Sequence, residues 1–192
     1  MDVRVGEILP TPRHGKPVEI NAYWYNALRI MEIFASELGL EYTGYGVLAD
    51  RTRTSFREQF WNEERGCLKD LVSGTKADMQ IRCNQIWAVS MPFTMLEKDQ
   101  ERQVVRTVYE KLYTPYGLRT LEEGDEEFHP FYGGEMIERD LAYHQGTVWT
   151  FPLGAYYLAY LKVCGYSEEA KEEVKEQLEV MESAMREGCI GQ

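Results

Sequence analysis

Two carboxylates of this 192-residue chain, Glu19 and Asp140, stand beside dense runs of hydrogen-bonding and aromatic side chains. The chemistry such a pair can do is glycoside hydrolysis: one carboxyl protonates the leaving oxygen, and the other activates water or attacks directly. Each also has a plainer reading. Glu19 suits a carboxylate that stabilises the positive N-terminus of its own helix. Asp140 follows Arg139 directly and suits an ion-pair member that shapes a loop.

His144, flanked by Tyr143 and Gln145, belongs to a run of hydrogen-bonding side chains at a helix start. No acidic or cysteine partners stand at metal-ligand spacing around it, and His14 and His129 lie in Pro- and Gly-rich segments expected at the surface. The four cysteines, Cys67, Cys83, Cys164 and Cys189, show no CxxC spacing and read as reduced thiols. A phosphate loop, a serine nucleophile elbow and a dinucleotide fingerprint are all missing; Gly133-Gly134 lacks the strand-turn-helix context. No metal or cofactor is expected.

Composition narrows the partner. A net charge of -11 repels phosphate backbones and anionic lipid surfaces, so nucleic acid and membrane are not expected partners. The 13 tyrosines and 4 tryptophans suit sugar faces as well as cores. With 44% hydrophobic residues the chain can bury one core, and it reads as a single domain over 1–192. Neither a leader-like N-terminus nor a long apolar run is legible, which points to a soluble, cytoplasmic protein.

The elements that must hold these residues are helices. Trp24, Ala27, Leu28, Met31, Phe34, Ala35 and Leu38 recur at helical spacing, with Asn21 as cap and Gly39 as stop. A shorter helix from Arg51 carries Phe56, Phe60 and Trp61; Leu68 to Gly74 is a loop or a short extended piece. Asn84 to Met91 reads as a buried helix ended by Pro92, with a buried strand as the alternative. Asp99 caps a helix whose inner face is Val104, Val105, Val108 and Leu112. Residues 115–146 read as a long loop with a short β piece. One helix then starts near Thr147 and stops at Gly165. Another, capped by Ser167, carries the stripe Ala170, Val174, Leu178, Met181 and Met185 up to Gly188.

Strongly apolar helices thus alternate with amphipathic ones, the pattern of stacked helical hairpins in an all-α fold. The polar and aromatic clusters at Lys16 to Tyr25, Arg82 to Gln85 and Tyr143 to Trp149 each open an apolar helix, roughly 60 to 65 residues apart, one per hairpin. If the hairpins wind around an axis, the three clusters converge on one pocket, and three hairpins make half of a six-hairpin toroid.

The clusters also carry a resemblance. The segment from Thr11 through Pro-Arg-His-Gly-Lys-Pro-Val-Glu19 to Asn26, Ile81-Arg-Cys-Asn-Gln85, Thr114-Pro-Tyr-Gly-Leu-Arg-Thr-Leu121 and Ala142-Tyr-His-Gln-Gly-Thr-Val-Trp149 resemble the glucosidase domain of bacterial and archaeal-type glycogen debranching enzymes. The match runs in order over nearly the whole chain. It implies an (α/α)6 barrel that removes glucose from α-1,6 branch points, with inversion, through a carboxylic acid and a carboxylate base. It further implies substrate-binding roles for Lys16, Glu19, Asn21, Trp24 and Tyr25, for Arg82, Asn84 and Gln85, and for Tyr143, His144, Gln145, Thr147 and Trp149.

Members of that family carry the acid in a Trp-Gly-Arg-Asp segment well before the first motif and the base in an acidic stretch after the last. Both are expected outside residues 1–192, leaving the isolated chain inactive. Thr150-Phe151 replaces the family's common Pro-Trp at one aromatic platform. The expected partners are an α-glucan (glycogen or limit dextrin) and the remainder of the debranching enzyme. Self-association is a further expectation, because the open barrel edges leave apolar flanks in water. Two other readings stay open: a non-catalytic α-glucan-binding module using Trp24, Tyr25, Trp87 and Trp149, and a helical scaffold for another protein.

Overall fold

A computed structural model describes residues 6–40 and 44–187. The predominantly helical reading holds, but an all-α description omits eight short strands in three small antiparallel sheets among these residues. The sheets matter because they fix where the inner helices begin.

Among the described residues the first element is β1 (Lys16–Pro17), which runs without a break into α1 (Val18–Glu37). Asn21 is therefore not the cap. It lies in the first turn, where its amide donates to the Pro17 carbonyl at 2.7 Å, while Pro17 occupies the capping position. Gly39, at φ 65°, ends the helix as expected. The next helix, α2 (Gly44–Phe60), starts earlier than Arg51 and packs back along α1. Phe56 and Phe60 stack on its buried face at 4.7 Å.

Trp61 leaves that helix for β2 (Trp61–Asn62), which pairs with β3 (Cys67–Leu68). The extended alternative for the next stretch is the one observed. β4 (Leu71–Ser73) pairs with β5 (Lys76–Asp78) on one side and with β1 on the other, Lys16 opposite Val72 and Pro17 opposite Leu71. Gly15, at φ 142°, permits this approach: a Cβ there would stand 2.7 Å from the Val72 carbonyl oxygen.

The buried segment after Ile81 is a 3-10 turn (Cys83–Ile86) followed by the short α3 (Trp87–Ser90), which packs against α1. Asn26 of α1 ties to the loop beyond it: its amide nitrogen donates to the Phe93 carbonyl and its oxygen accepts from the Phe93 N–H, both at 2.9 Å. α4 (Lys98–Leu112) buries Val104, Val105, Val108 and Leu112 as the spacing predicts. Its cap is Glu97 in a capping box with Gln100, not Asp99.

β6 (Tyr113–Thr114) and β7 (Gly117–Arg119) form a hairpin, and β8 (Val148–Trp149) adds to the far side of β7. Between them, the stretch expected as a loop holds α5 (Met136–His144), opened by a Glu135/Glu138 capping box. At nine residues it is too short for a helical period to stand out. Trp149 is consequently a strand residue, and α6 begins at Phe151 (Phe151–Val163) rather than at Thr147. Ser167 caps α7 (Glu168–Glu187), its hydroxyl accepting from the Ala170 N–H at 3.2 Å. On that helix Ala170 and Val174 are buried, but Leu178 is exposed. The Met185 side chain, Gly188 and Cys189 lie outside what is described.

The core runs through α1, α2, α3, α4 and α6. Burying a Val, Leu or Phe side chain in it contributes about 1.5–3 kcal/mol. Lys162 of α6 ties the layers, donating to the Val89 carbonyl at 2.9 Å and pairing with Glu101 of α4 at 3.2 Å. No helix of the described residues is long and apolar enough to cross a membrane.

Candidate functional site

Three chain segments meet where the small sheets hand over to the inner helices. β1 fixes the first turn of α1 and with it Glu19. The Ile81 carbonyl accepts from the Glu122 N–H at 3.1 Å, which anchors the turn carrying Arg82 and Asn84 beside β7. β8 pairs with β7, Leu118 opposite Trp149, and sets Trp149 at the mouth of α6.

The centre of this meeting point is Asp70, between β3 and β4, a residue that sequence reasoning missed. Its carboxylate accepts from Arg13 Nε at 2.6 Å and from Asn84 Nδ2 at 3.0 Å, with Arg82 Nε 3.9 Å away. Arg13, also missed as a site residue, spends its other end on Glu19 through two bonds of 2.6 Å. Both Glu19 oxygens are thereby engaged. Arg82 reaches the opposite way, donating to the His144 carbonyl at 3.2 Å, to Gln80 and to the Gln145 side chain. Gln145 in turn donates to the Pro10 carbonyl at 2.9 Å and to Glu127. One buried chain of contacts therefore links the clusters around Glu19, around Arg82 and around His144.

Electrostatically the cluster balances two guanidinium groups, Arg13 and Arg82, against two carboxylates, Asp70 and Glu19. Burial pushes the Asp70 carboxyl up, while the Arg13 and Arg82 charges and the Asn84 amide pull against it. For Arg13 burial works against the charge, yet the bonds to Glu19 and Asp70 outweigh it and hold the proton more firmly. Burial, helped by the Arg82 charge, keeps the His144 imidazole below its ordinary value, although Asp140 opposes the shift. At neutral pH His144 is uncharged.

A small recess of about 30 Å³ opens beside this cluster, lined by Thr11, Arg82, Asn84, Thr120, His144 and Trp149, with Phe151 at its mouth. Tyr143 packs edge-on against both Trp149, at 4.6 Å, and His144, at 4.9 Å. Phe151 is exposed, so the position where the family commonly carries Trp still presents an aromatic ring. Thr150 donates its hydroxyl to the Tyr116 carbonyl at 2.9 Å and secures the start of α6.

The remaining candidates divide. Lys16, Asn21 and Trp24 line a separate cavity of about 350 Å³ between α1 and α2, together with Arg51, Ser55 and Gln59. Tyr25 is buried, its hydroxyl accepting from Arg29 Nε at 3.1 Å. Gln85 also faces the core, bonding the Leu68 N–H and the Arg82 carbonyl. Thr147 donates to the Ala142 carbonyl at 3.0 Å. Asp140 is half-buried one turn before His144 on α5, and among the described residues it forms no ion pair with Arg139. His14 is exposed as expected, but His129 is half-buried, its N–H bonded to the Gln145 carbonyl at 2.8 Å. No cluster of metal-ligating side chains occurs among the described residues.

The signals for the missed pair were slight. Arg13 sits between Pro12 and His14 in what reads as a surface segment. Asp70 sits in Leu68-Lys69-Asp70-Leu71, where a charged pair usually marks a turn.

The predominantly helical fold is shared with solved structures. A structure described as a sialidase superposes over 81% of this chain and 14% of its own, with TM-score 0.58 and 23% identity. The neutral trehalase Nth1 from Saccharomyces cerevisiae does so over 76% of this chain and 28% of its own, with TM-score 0.50 and 17% identity. These likenesses concern the fold alone. The amylo-alpha-1,6-glucosidase family matches residues 1–192, and the chain belongs to that family. The glycogen debranching enzyme of Saccharomyces cerevisiae is 25% identical over 189 residues, covering 78% of this chain; the chain spans 12% of that enzyme's length.

Proposed function

We propose that this chain is the sugar-binding part of a glycoside hydrolase of the glycogen-debranching type, an arc of an (α/α)6 toroid acting on α-1,6-linked glucose at branch points in the cytoplasm. The observation that carries the reading is the recess beside the Asp70 cluster, in a chain whose family match spans its full length. It offers aromatic rings from Trp149 and Phe151 next to polar side chains whose charges cancel, which suits a neutral polyol.

In the reaction, a carboxylic acid protonates the glycosidic oxygen and a carboxylate activates water. Glu19 is poorly suited to either task, since Arg13 occupies both its oxygens; it orients instead. Asp140 stays a candidate only for proton transfer through His144. The principal acid and base come from the remainder of the debranching enzyme, and the isolated chain is inactive.

The test is glucose release from a branched limit dextrin, measured for this chain and for the protein encoded by the complete reading frame. The expected result is release by the latter only, with loss on Arg82→Ala. Absence of release from the complete protein would overturn the reading. A second reading, a non-catalytic α-glucan-binding module, is favoured by the exposed Trp24 at the 350 Å³ cavity. Saturable maltooligosaccharide binding lost on Trp24→Ala, with no glucose release by the complete protein, would select it.

A further inference from the structure

Four buried side-chain polar atoms without a hydrogen-bond partner gather around one recess: Thr11 Oγ1, Arg82 Nε, His144 Nδ1 and Trp149 Nε1. Thr11, Arg82 and His144 are each more than nine-tenths buried. Orphaned polar groups are costly inside a protein, and four on one small cavity mark a site made for an occupant. Its chemistry can be read from the donor inventory. Arg82 Nε and the Trp149 indole can only donate, a neutral imidazole nitrogen can accept, and the Thr11 hydroxyl can do either. A cation cannot satisfy the two donors. An anion is disfavoured because the neighbouring guanidinium charges are already balanced: Arg13 is spent on Asp70 and Glu19, and Arg82 lies 3.9 Å from Asp70. The volume of about 30 Å³ admits roughly one water-sized group.

We propose that this recess holds a single uncharged oxygen, the hydroxyl of a polyol ligand or a fixed water in its place, which accepts from Arg82 Nε and Trp149 Nε1 and donates to His144 Nδ1. The hydroxyl form rests on the sugar-binding reading above, whereas the water form does not. The recess would thereby select ligands by the presence of one particular hydroxyl, because an analogue lacking it leaves buried donors unpaired.

The experiment follows the indole N–H of Trp149 and the imidazole nitrogens of His144 by NMR in ¹⁵N-labelled chain. Spectra are taken in plain buffer, then with glucose and with each of its 2-, 3-, 4- and 6-deoxy analogues. The expected result is a protected indole N–H, a hydrogen-bonded His144 Nδ1, and one deoxy analogue binding about ten- to a hundredfold more weakly than glucose. That deficit should disappear in Trp149→Phe. If no sugar binds, or all bind alike, while both signatures persist in buffer, the oxygen is a fixed water and only the sugar reading fails. Fast indole exchange with an unbonded His144 Nδ1, with and without sugar, would overturn the proposal itself. Both signatures are read in the unaltered chain, so the outcome does not depend on a variant that folds.

Discussion

Arg13 and Asp70, 57 positions apart in sequence, meet through three hydrogen bonds, the shortest 2.6 Å from Nε to Oδ2. This pair joins the segment before α1 to the strand pair β4–β5, and through Asn84 and Arg82 it reaches the end of α5.

Removing the negative member should therefore be severe. Asp70→Asn leaves Arg82 without a carboxylate and Arg13 with Glu19 alone. Stranding buried charge in this way costs about 3–5 kcal/mol. Urea denaturation of the variant should show the midpoint falling accordingly; an unchanged midpoint would mean that the cluster contributes nothing to the fold.

Acid should weaken the protein through His144. Its folded pKa lies below the ordinary 6.5, so the unfolded chain takes up the proton first. Stability is unaffected above 6.5, falls as the pH drops below it, and levels off once the folded state is also protonated. The slope is at most about 1.36 kcal/mol per pH unit from this group. Comparing denaturation midpoints of the parent and His144→Gln between pH 7 and 5 checks this, and equal slopes would refute it.

The thiols should differ in reactivity. Burial pushes the Cys83 thiol up to about 12 and raises Cys67 as well, so both stay protonated and shielded, while Cys164 is exposed. Brief alkylation of the native protein followed by peptide mapping should label Cys164 and spare Cys67 and Cys83. Labelling of Cys83 at the same rate would contradict the packing.

Gly117→Ala should disturb Trp149 from a distance of 32 positions. A Cβ on Gly117 would stand 2.3 Å from the Trp149 carbonyl oxygen and 2.6 Å from its carbon, and backbone cannot step aside as a flexible side chain can. We expect a loss of about 1–3 kcal/mol and an altered near-UV spectrum from the displaced indole. A Gly124→Ala control meets nothing within 4 Å and should leave the spectrum as it was.

The periodic part of the protein and its kinship were legible in the residues alone. Val104, Val105, Val108 and Leu112 repeat at helical spacing and are buried together; Ser167 and Gly39 mark helix ends because capping and positive φ are local properties. The ordered motifs carried the family, and they also marked Arg82, Asn84, His144 and Trp149, which do share one recess. The rest depended on how the chain packs. Trp149 became a strand residue because β7 was there to pair with it. Asp70 became the hub because Arg13 arrives from one segment and Arg82 with Asn84 from another, and together they offset the desolvation of its charge. Asn21 and Trp24, three residues apart on one face of α1, turn with Lys16 of β1 to a different cavity because that face packs beside α2. Local sequence encodes propensity and period, but a buried ion pair between residues 57 positions apart exists only once the chain has brought them together.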